Sequence, residues 1–499
     1  MSRLSEERRL EWQLLLALGA YFALHVLLRV SISASLDYDE AEQAVLSQWL
    51  LPGYTEQPPL YTWLQILFFQ FFGESILAVS LLKNSLLFAT YLFVLLTARE
   101  ILPDRRAAVL ATAALMLIPQ IAWESQRDMT HTTLAVAAAA ATMWQSLRLV
   151  RRPDSIGYAI LGLLVGIGLL AKANYLLFLA VLLLSLATTA EGRRLFRQPA
   201  AALTLLLALG VAGSYLLWMY QHGEIVFAAS HKFTPPAKYG PATGIISLAR
   251  STVLFLTPLW LALLLVFPGI FRLRASAPKS FPEILPGRYL LVLFTVLAAI
   301  VLLFEITYVK DRWLQPLLFA APIYAFSRLA PGEITARRGK VFLSLAAVAA
   351  IGVYAAFSLR VIAAPLTGHF SRLNYPFPEM SADIRAAGFT GGLIVSNDRF
   401  LAGNLLWQFP DSTAVIPGYN FENIAEKAGH RQAIAVWKAD HGPQIPPQFA
   451  TFLETTYHLN VSTLPILSFE HRYAHAKRES VSLAMVQFSP ATTKTGANY

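Results

Sequence analysis

The chain has 499 residues, of which 56% are hydrophobic and only 14% charged, with a mean hydropathy of +0.51. A soluble domain carries about a quarter charged residues, so a soluble globular protein is excluded. The absence of cysteine removes disulfides and thiolate metal sites, and the net charge of +10 is too dispersed along the chain for a nucleic-acid footprint.

Apolar runs of roughly 18 residues or more recur, each long enough to cross a bilayer as a helix. The first, Leu10 to Ile32, follows the charged start "RLSEERR". It is longer than a secretory h-region and lacks a small-residue cleavage site, so it reads as a retained helix. Spans are expected near 10–32, 75–98, 107–122, 129–148, 155–171, 174–190, 200–220, 249–271, 288–305, 313–329 and 340–362. Lys and Arg favour cytoplasmic loops. The clusters "RLSEERR", "REILPDRR", "RLVRRP", "EGRRLFRQ", "FRLRASAPK" and "RLAPGEITARRGK" fall on alternate connections. The other connections are an acidic loop 33–74, turns at Arg127-Asp128 and Lys172, a loop 221–248 and a turn at 306–312. This parity implies eleven spans, a cytoplasmic N-terminus and an outer C-terminal region.

The acidic loop carries Asp37, Asp39, Glu40, Glu42 and Glu56. Asp39 is a natural N-cap for the helix "EAEQAVLSQWLL", and "YTWLQILFFQFFG" suits a helix lying at the interface. Asp37 and Glu42 read as ordinary surface charge. After Ala363 the chain turns polar. "MSADIRAAGF" reads as a short helix capped by Ser381 and ended by Gly388. "GLIVSN", "STAVIP", "AIAVW" and "VSLAMVQF" read as strands, with helices at "DRFLAGNLLWQF" and "PPQFATFLETTY". Alternating strands and helices predict a small α/β domain, followed by a frayed tail, "SPATTKTGANY".

Ionisable groups inside a membrane usually face a cavity or the bundle interior. Lys83-Asn84, Arg127-Asp128, His131, Lys172, Asn174, Arg250, Lys310, Asp311 and Arg312 all map near the outer ends of spans, the same face as the acidic loop. Helix-end residues such as Arg250 also snorkel without any function. Lys83 lies roughly 12 Å inside its span at the helical rise, where a cavity role is favoured. Carboxylates can act as general bases or hold a divalent metal. Cations bind a phosphate and stabilise it as a leaving group. Beside lipid, that combination points to head-group transfer from a lipid phosphate. A transporter or flippase is the rival, with ionisable residues deep in several helices and repeat symmetry as its expected marks.

In "YDEAEQAVLSQWLLPGYTEQPPLYTWLQILFFQFFG", "ESQRDMTHTTLAVAAAAAT", "GLLVGIGLLAKANYLLFLAVLL" and "YVKDRWLQPLLFAAPIY", the chain resembles the GT-C integral membrane glycosyltransferases. The similar branch holds the protein O-mannosyltransferases and the aminoarabinose (lipid A) transferases. The resemblance covers about the first 330 residues and is most specific in its first block.

The spans and strands divide the chain into an α-helical polytopic domain over 1–362, with a structured outer loop 33–74, and a small extracytoplasmic α/β domain over 363–499, and the first of these is the catalytic domain that the resemblance implies. It implies that Asp39 is the catalytic carboxylate, supported by Glu40, with Asp128 approaching from the second outer loop. Lys172 would contact the donor phosphate, with Lys83, Arg127, Lys310 and Arg312 as further phosphate contacts. Glu56 would belong to a site for a divalent metal ion. Relatives place Lys or His before Pro-Pro-Leu, whereas this chain has Gln57, an amide that can donate to phosphate without charge. The implied reaction moves a sugar, with inversion, from a polyprenyl-phosphate donor to a lipopolysaccharide, other glycan or protein acceptor. It would run at the outer face of the cytoplasmic membrane, among membrane lipids and without nucleic acid.

Overall fold

A backbone in hydrocarbon must satisfy its own N–H and C=O groups, so the apolar runs fold as helices. The computed structural model describes residues 2–224, 241–271, 280–330, 332–419 and 430–490. Most of the expected loop 221–248, the basic stretch 272–279 and the tail from Ala491 lie outside the described residues.

Every segment expected to span contains helix, though several are broken. The helices in chain order are α1 (Ser2–Ile32), α2 (Tyr38–Leu46), α3 (Leu60–Phe72), α4 (Ile76–Ile101), α5 (Arg105–Ala113), α6 (Ser125–Asp128), α7 (His131–Arg151), α8 (Ser155–Leu169) and α9 (Asn174–Ala187), with later helices named by their residues. Five described helices are long and apolar enough to cross a membrane: Glu7–Ile32, Ile76–Ile101, Ala201–Gln221, Phe281–Leu303 and Ala336–Ile362. Three further pairs are bent at short breaks: Arg105–Leu117 with Gln120–Asp128 (71°), Asn174–Ala187 with Ala190–Arg197 (111°), and Ala242–Phe255 with Leu259–Val266 (62°). The chain is thus a multi-pass membrane protein; among the described residues five helices pass by length and composition, or eight if each bent pair is one span, and the other expected spans fall below that length and hydropathy.

Local breaks and short helices keep several expected spans out of that set. Pro119 and Pro258 sit at two of the breaks, where proline lacks the N–H and clashes with the preceding turn. Helix α8 has only 15 residues.

The chain forms two compact units. The first comprises Met1–His25, Glu56–Tyr61 and Lys83–Ala355. The second comprises Val26–Thr55, Thr62–Leu82 and Ala356–Tyr499. In the first unit, α7 is buried along almost its whole length. Helix α8 crosses Ala201–Gln221 at two glycines. A Cβ on Gly162 would lie 2.7 Å from the Thr204 carbonyl oxygen, and one on Gly166 would lie 2.6 Å from the Val211 Cβ. Such small-xxx-small spacing lets membrane helices approach closely.

The second unit is built on a five-stranded sheet of order β2-β1-β3-β5-β4. Strands β1 (Leu393–Ser396), β2 (Thr413–Val415) and β3 (Ala433–Lys438) pair in parallel, while β4 (Leu467–Arg472) and β5 (Ser480–Phe488) run antiparallel. Strand side chains alternate between faces. Ile394, Ala414, Ile434 and Val436 join a core with Phe377, Phe400 and Leu401. Val395, Val415 and Trp437 join another with Phe449 and Leu453. The first of these cores also contains Leu36, Ala41, Val45, Leu46 and Tyr54 from the acidic loop. The loop's apolar face therefore completes the core of the α/β fold.

Two local expectations are corrected. The helix at "MSADIRAAGF" begins earlier, at Phe377 with Pro376 as its N-cap. Ser381 is buried inside it, and its hydroxyl donates to the Phe377 carbonyl at 2.6 Å rather than capping. A proline at the first helical turn costs nothing, because its missing N–H would be unsatisfied there. Gly388 does end that helix, at φ +100°. Strand β4 is an addition: "LSFEHR" is mostly polar and mostly exposed, so it carries little apolar signal.

Candidate active site

Two residues in the acidic loop fit the same capping pattern, an acid followed three positions on by glutamate. They are Asp37 with Glu40, and Asp39 with Glu42. The structure selects Asp37. Its side chain accepts from the Tyr38 N–H at 2.9 Å, and the Glu40 carboxylate accepts from the Asp37 N–H at 2.9 Å. Asp39 is therefore not the cap but a half-buried member of the first turn of α2.

The choice follows from where the arginines sit. Arg29, in the last turn of α1, donates to Glu40 through Nη2 at 2.6 Å and through Nε at 3.2 and 3.3 Å. The same guanidinium donates to the Ser33 and Ser35 carbonyls at 3.1 and 2.7 Å. Asp37 accepts from Arg360 at 2.7 Å and from Arg372 at 3.4 Å. Glu42 is paired with Arg399 and accepts from the Tyr419 hydroxyl at 2.7 Å. Burial, and then the Glu42 carboxylate, push the Tyr419 hydroxyl well above its ordinary value, so it stays protonated and donates.

Asp37, Glu40 and Glu42 are 5%, 3% and 7% exposed. The expectation that Asp37 and Glu42 are ordinary surface charge is thus wrong: both are buried and bound by arginines. Arg372 and Arg399 also stack over the Tyr38 ring, at 4.4 and 4.3 Å from its centroid. The residue directly before Asp39 is therefore held by two guanidiniums, an arrangement worth up to ~2 kcal/mol per pair when desolvated.

The remaining candidates, Glu56, Gln57, Lys83, Arg127, Asp128, Lys172, Lys310 and Arg312, belong to the first unit. The "QPPL" step is tied to the turn before Lys172, because the Leu60 N–H donates to the Leu170 carbonyl at 3.1 Å. Lys172 Nζ donates to the Thr132 hydroxyl at 2.6 Å, which places it at the start of α7. Asp128 lies four residues before Thr132, at the end of the short α6. A π-helical turn, Gln120–Glu124, leads into α6, and such turns are frequent at functional sites.

Three hydrogen bonds gather the rest around this turn. Gln126 donates to Asn84 at 2.9 Å, which brings the neighbouring Lys83, 2% exposed, to the same region. Gln120 donates to Asp311 at 2.8 Å. Asn174 donates to the Trp313 carbonyl at 3.4 Å, and Lys310 lies 5.9 Å from the Trp313 ring centroid. Lys83, Asp128, Lys172, Lys310 and the Gln57 segment are thus joined by short links within one unit. Arg127 is exposed and paired with Glu124 at 2.8 Å. Arg312 and Arg250 are exposed. Among the described residues no group of three or more His, Asp or Glu is placed to hold a metal ion, so the surroundings of Glu56 do not form a carboxylate cage.

Residues 56–218 match the dolichyl-phosphate-mannose-protein mannosyltransferase family. The chain is 33% identical over 482 residues to the lipopolysaccharide core galacturonosyltransferase RgtB of Rhizobium johnstonii, covering 94% of this chain and 96% of that protein. The chain belongs to the GT-C glycosyltransferases of the protein O-mannosyltransferase and aminoarabinose transferase type. A second member, RgtA of the same organism, is 33% identical over 433 residues, covering 85% of this chain and 86% of that protein. The likeness in fold reaches well beyond residues 56–218. The structure of ArnT from Cupriavidus metallidurans bound to undecaprenyl phosphate matches with a TM-score of 0.60 at 16% identity, covering 94% of this chain and 97% of that one.

Sequence reasoning missed the residues that hold the candidate side chains in each unit. Arg29 carried a signal, as an arginine in the last turn of an apolar helix. Arg360, Arg372 and Arg399 are more than 300 residues from the acids they bind, and Thr132 and Gln120 are ordinary polar residues with no distinguishing pattern.

Proposed function

We propose that this glycosyltransferase moves a galacturonosyl-type sugar from a polyprenyl-phosphate donor to a hydroxyl of the lipopolysaccharide core, at the outer face of the inner membrane. The observation that carries this reading is the 33% identity to RgtB over nearly the full length of both chains. The likeness in fold to a protein bound to undecaprenyl phosphate supports a lipid-phosphate donor.

In the proposed reaction, Asp39 takes the proton of the acceptor hydroxyl as general base. The acceptor oxygen attacks the anomeric carbon and forms the new C–O bond. The bond from that carbon to the phosphate oxygen breaks on the opposite face, so the configuration inverts. Polyprenyl phosphate leaves, its charge stabilised by Lys172 with Lys83 and Lys310. Asp128 orients the acceptor or donor sugar, and Gln57 donates to a phosphate oxygen. Glu40 is a positioning residue: it is committed to Arg29 and to the start of α2. Glu56 is assigned to donor binding, either at the sugar itself or through a divalent metal ion.

The test is mass spectrometry of the lipopolysaccharide core from cells with and without the gene, together with transfer by purified protein from polyprenyl-phosphate galacturonate and polyprenyl-phosphate aminoarabinose. A core lacking one uronic acid in the deletion strain, and use of the first donor only, are expected. An unchanged core, or use of the aminoarabinose donor alone, overturns the reading.

A further inference from the structure

The proposed reaction leaves a strongly cationic cavity of the first unit without a role. It is about 430 Å³ and lies where the end of α4, the start of α5 and the end of α7 meet. Arg99, Arg105, Arg148, Arg151 and Arg152 line it, against a single lining carboxylate, Glu100. All five arginines belong to the basic loops "REILPDRR" and "RLVRRP", which the charge rule assigns to the cytoplasmic side.

Much of this charge is not neutralised within the protein. Arg151 pairs with Glu100 at 2.9 Å. Arg105 and Arg99 share one carboxylate, Glu11, at 2.8 and 3.5 Å. No carboxylate pairs with Arg148 or Arg152 among the described residues. Five guanidiniums therefore face two carboxylates, an excess of three positive charges around one cavity (5 − 2). Arg148 is half-buried, so its charge is partly withdrawn from water. That partial loss of water favours an anion beside it.

The walls say which anion fits. Leu96, Leu102 and Trp144 form an apolar side along the helix ends, and tryptophan is favoured at the level of lipid headgroups. Guanidiniums bind phosphate oxygens in pairs, and basic pockets between membrane helices on the cytoplasmic side take anionic headgroups. We infer that this cavity binds the phosphate of an anionic phospholipid of the cytoplasmic leaflet. The site is separate from the transfer reaction and stands whether or not the proposed sugar and acceptor are right.

The experiment uses the full-length protein purified in detergent. Native mass spectrometry follows retention of phosphatidylglycerol, cardiolipin and phosphatidylcholine, and calorimetry follows inorganic phosphate. Wild type is expected to retain the two anionic lipids over phosphatidylcholine. The double variant Arg148→Gln with Arg152→Gln should lose roughly tenfold or more of that retention, since each arginine near the headgroups contributes about a kcal/mol. Arg148→Lys with Arg152→Lys should recover most of it, which separates lost charge from misfolding. Equal retention in wild type and the glutamine variant overturns the proposal. Binding of inorganic phosphate that the glutamine variant loses, without any lipid preference, also overturns it by moving the site to a soluble phosphate compound.

Discussion

Gly403 lies directly against the Ala41 carbonyl: a Cβ at position 403 would come within 2.0 Å of that oxygen. The helix Arg399–Gln408 thereby meets α2 backbone to backbone, and α2 is the helix that carries Asp39. Replacing Gly403 with valine should force the two helices apart. Overpacking of this kind costs about 1–3 kcal/mol, so the protein should unfold at lower temperature and transfer less sugar. Gly391→Ala is the control, since its added Cβ would meet nothing closer than 3.8 Å. Thermal unfolding of both variants in detergent checks the contrast; equal losses would sink the argument.

Asp39 and Glu40 are neighbours with different expected phenotypes. Asp39→Asn should abolish transfer while the melting temperature stays close to wild type, because the change removes a base and leaves the volume intact. Glu40→Ala strands the buried Arg29 guanidinium. Breaking a buried pair by deleting one partner costs about 3–5 kcal/mol, so this variant should lose stability as well as activity. Paired melting and transfer assays distinguish the two.

Lys172 is held by the Thr132 hydroxyl at 2.6 Å. Lys172→Ala should raise the KM for the lipid donor by roughly 10–100-fold, the worth of one charged hydrogen bond, with a smaller change in acceptor KM. Thr132→Val should move the same parameter in the same direction but less, because the ammonium remains and only its anchor is lost. Donor and acceptor titrations on purified protein measure the split. An unchanged donor KM in the alanine variant would remove Lys172 from the donor site.

Tyr38 lies beneath both Arg372 and Arg399. Tyr38→Leu should lower stability by about 1–2 kcal/mol through the lost cation–π contacts, and Tyr38→Phe should keep most of it, since the ring face is retained. Denaturant titration of the two variants reads the difference directly.

Much of this protein is determined by its sequence alone, because membrane insertion acts on local composition. Each run of apolar residues must become a helix in hydrocarbon, and each cluster of arginines carries its own preference for one side. The strands at 393–396, 413–415, 433–438 and 480–488 were also legible, as short β-branched runs between turns. The family was legible in four blocks of sequence, most specifically in "YDEAEQAVLSQWLLPGYTEQPPLYTWLQILFFQFFG".

What the tertiary structure decided are the matters on which the local signal is evenly divided or silent. Two acid–glutamate pairs could cap α2 equally well, and the arginines bound to Glu40 and Glu42 chose between them. The helical runs at 107–122 and 249–271 look continuous in composition, yet they bend at Pro119 and Pro258 and are not single rods. Asp37 and Glu42 looked like solvated charge because their partners, Arg360, Arg372 and Arg399, lie beyond the reach of any sequence window. A carboxylate's role depends on which cation stands within 3 Å of it. That distance is set by packing between segments hundreds of residues apart, and no local pattern encodes it.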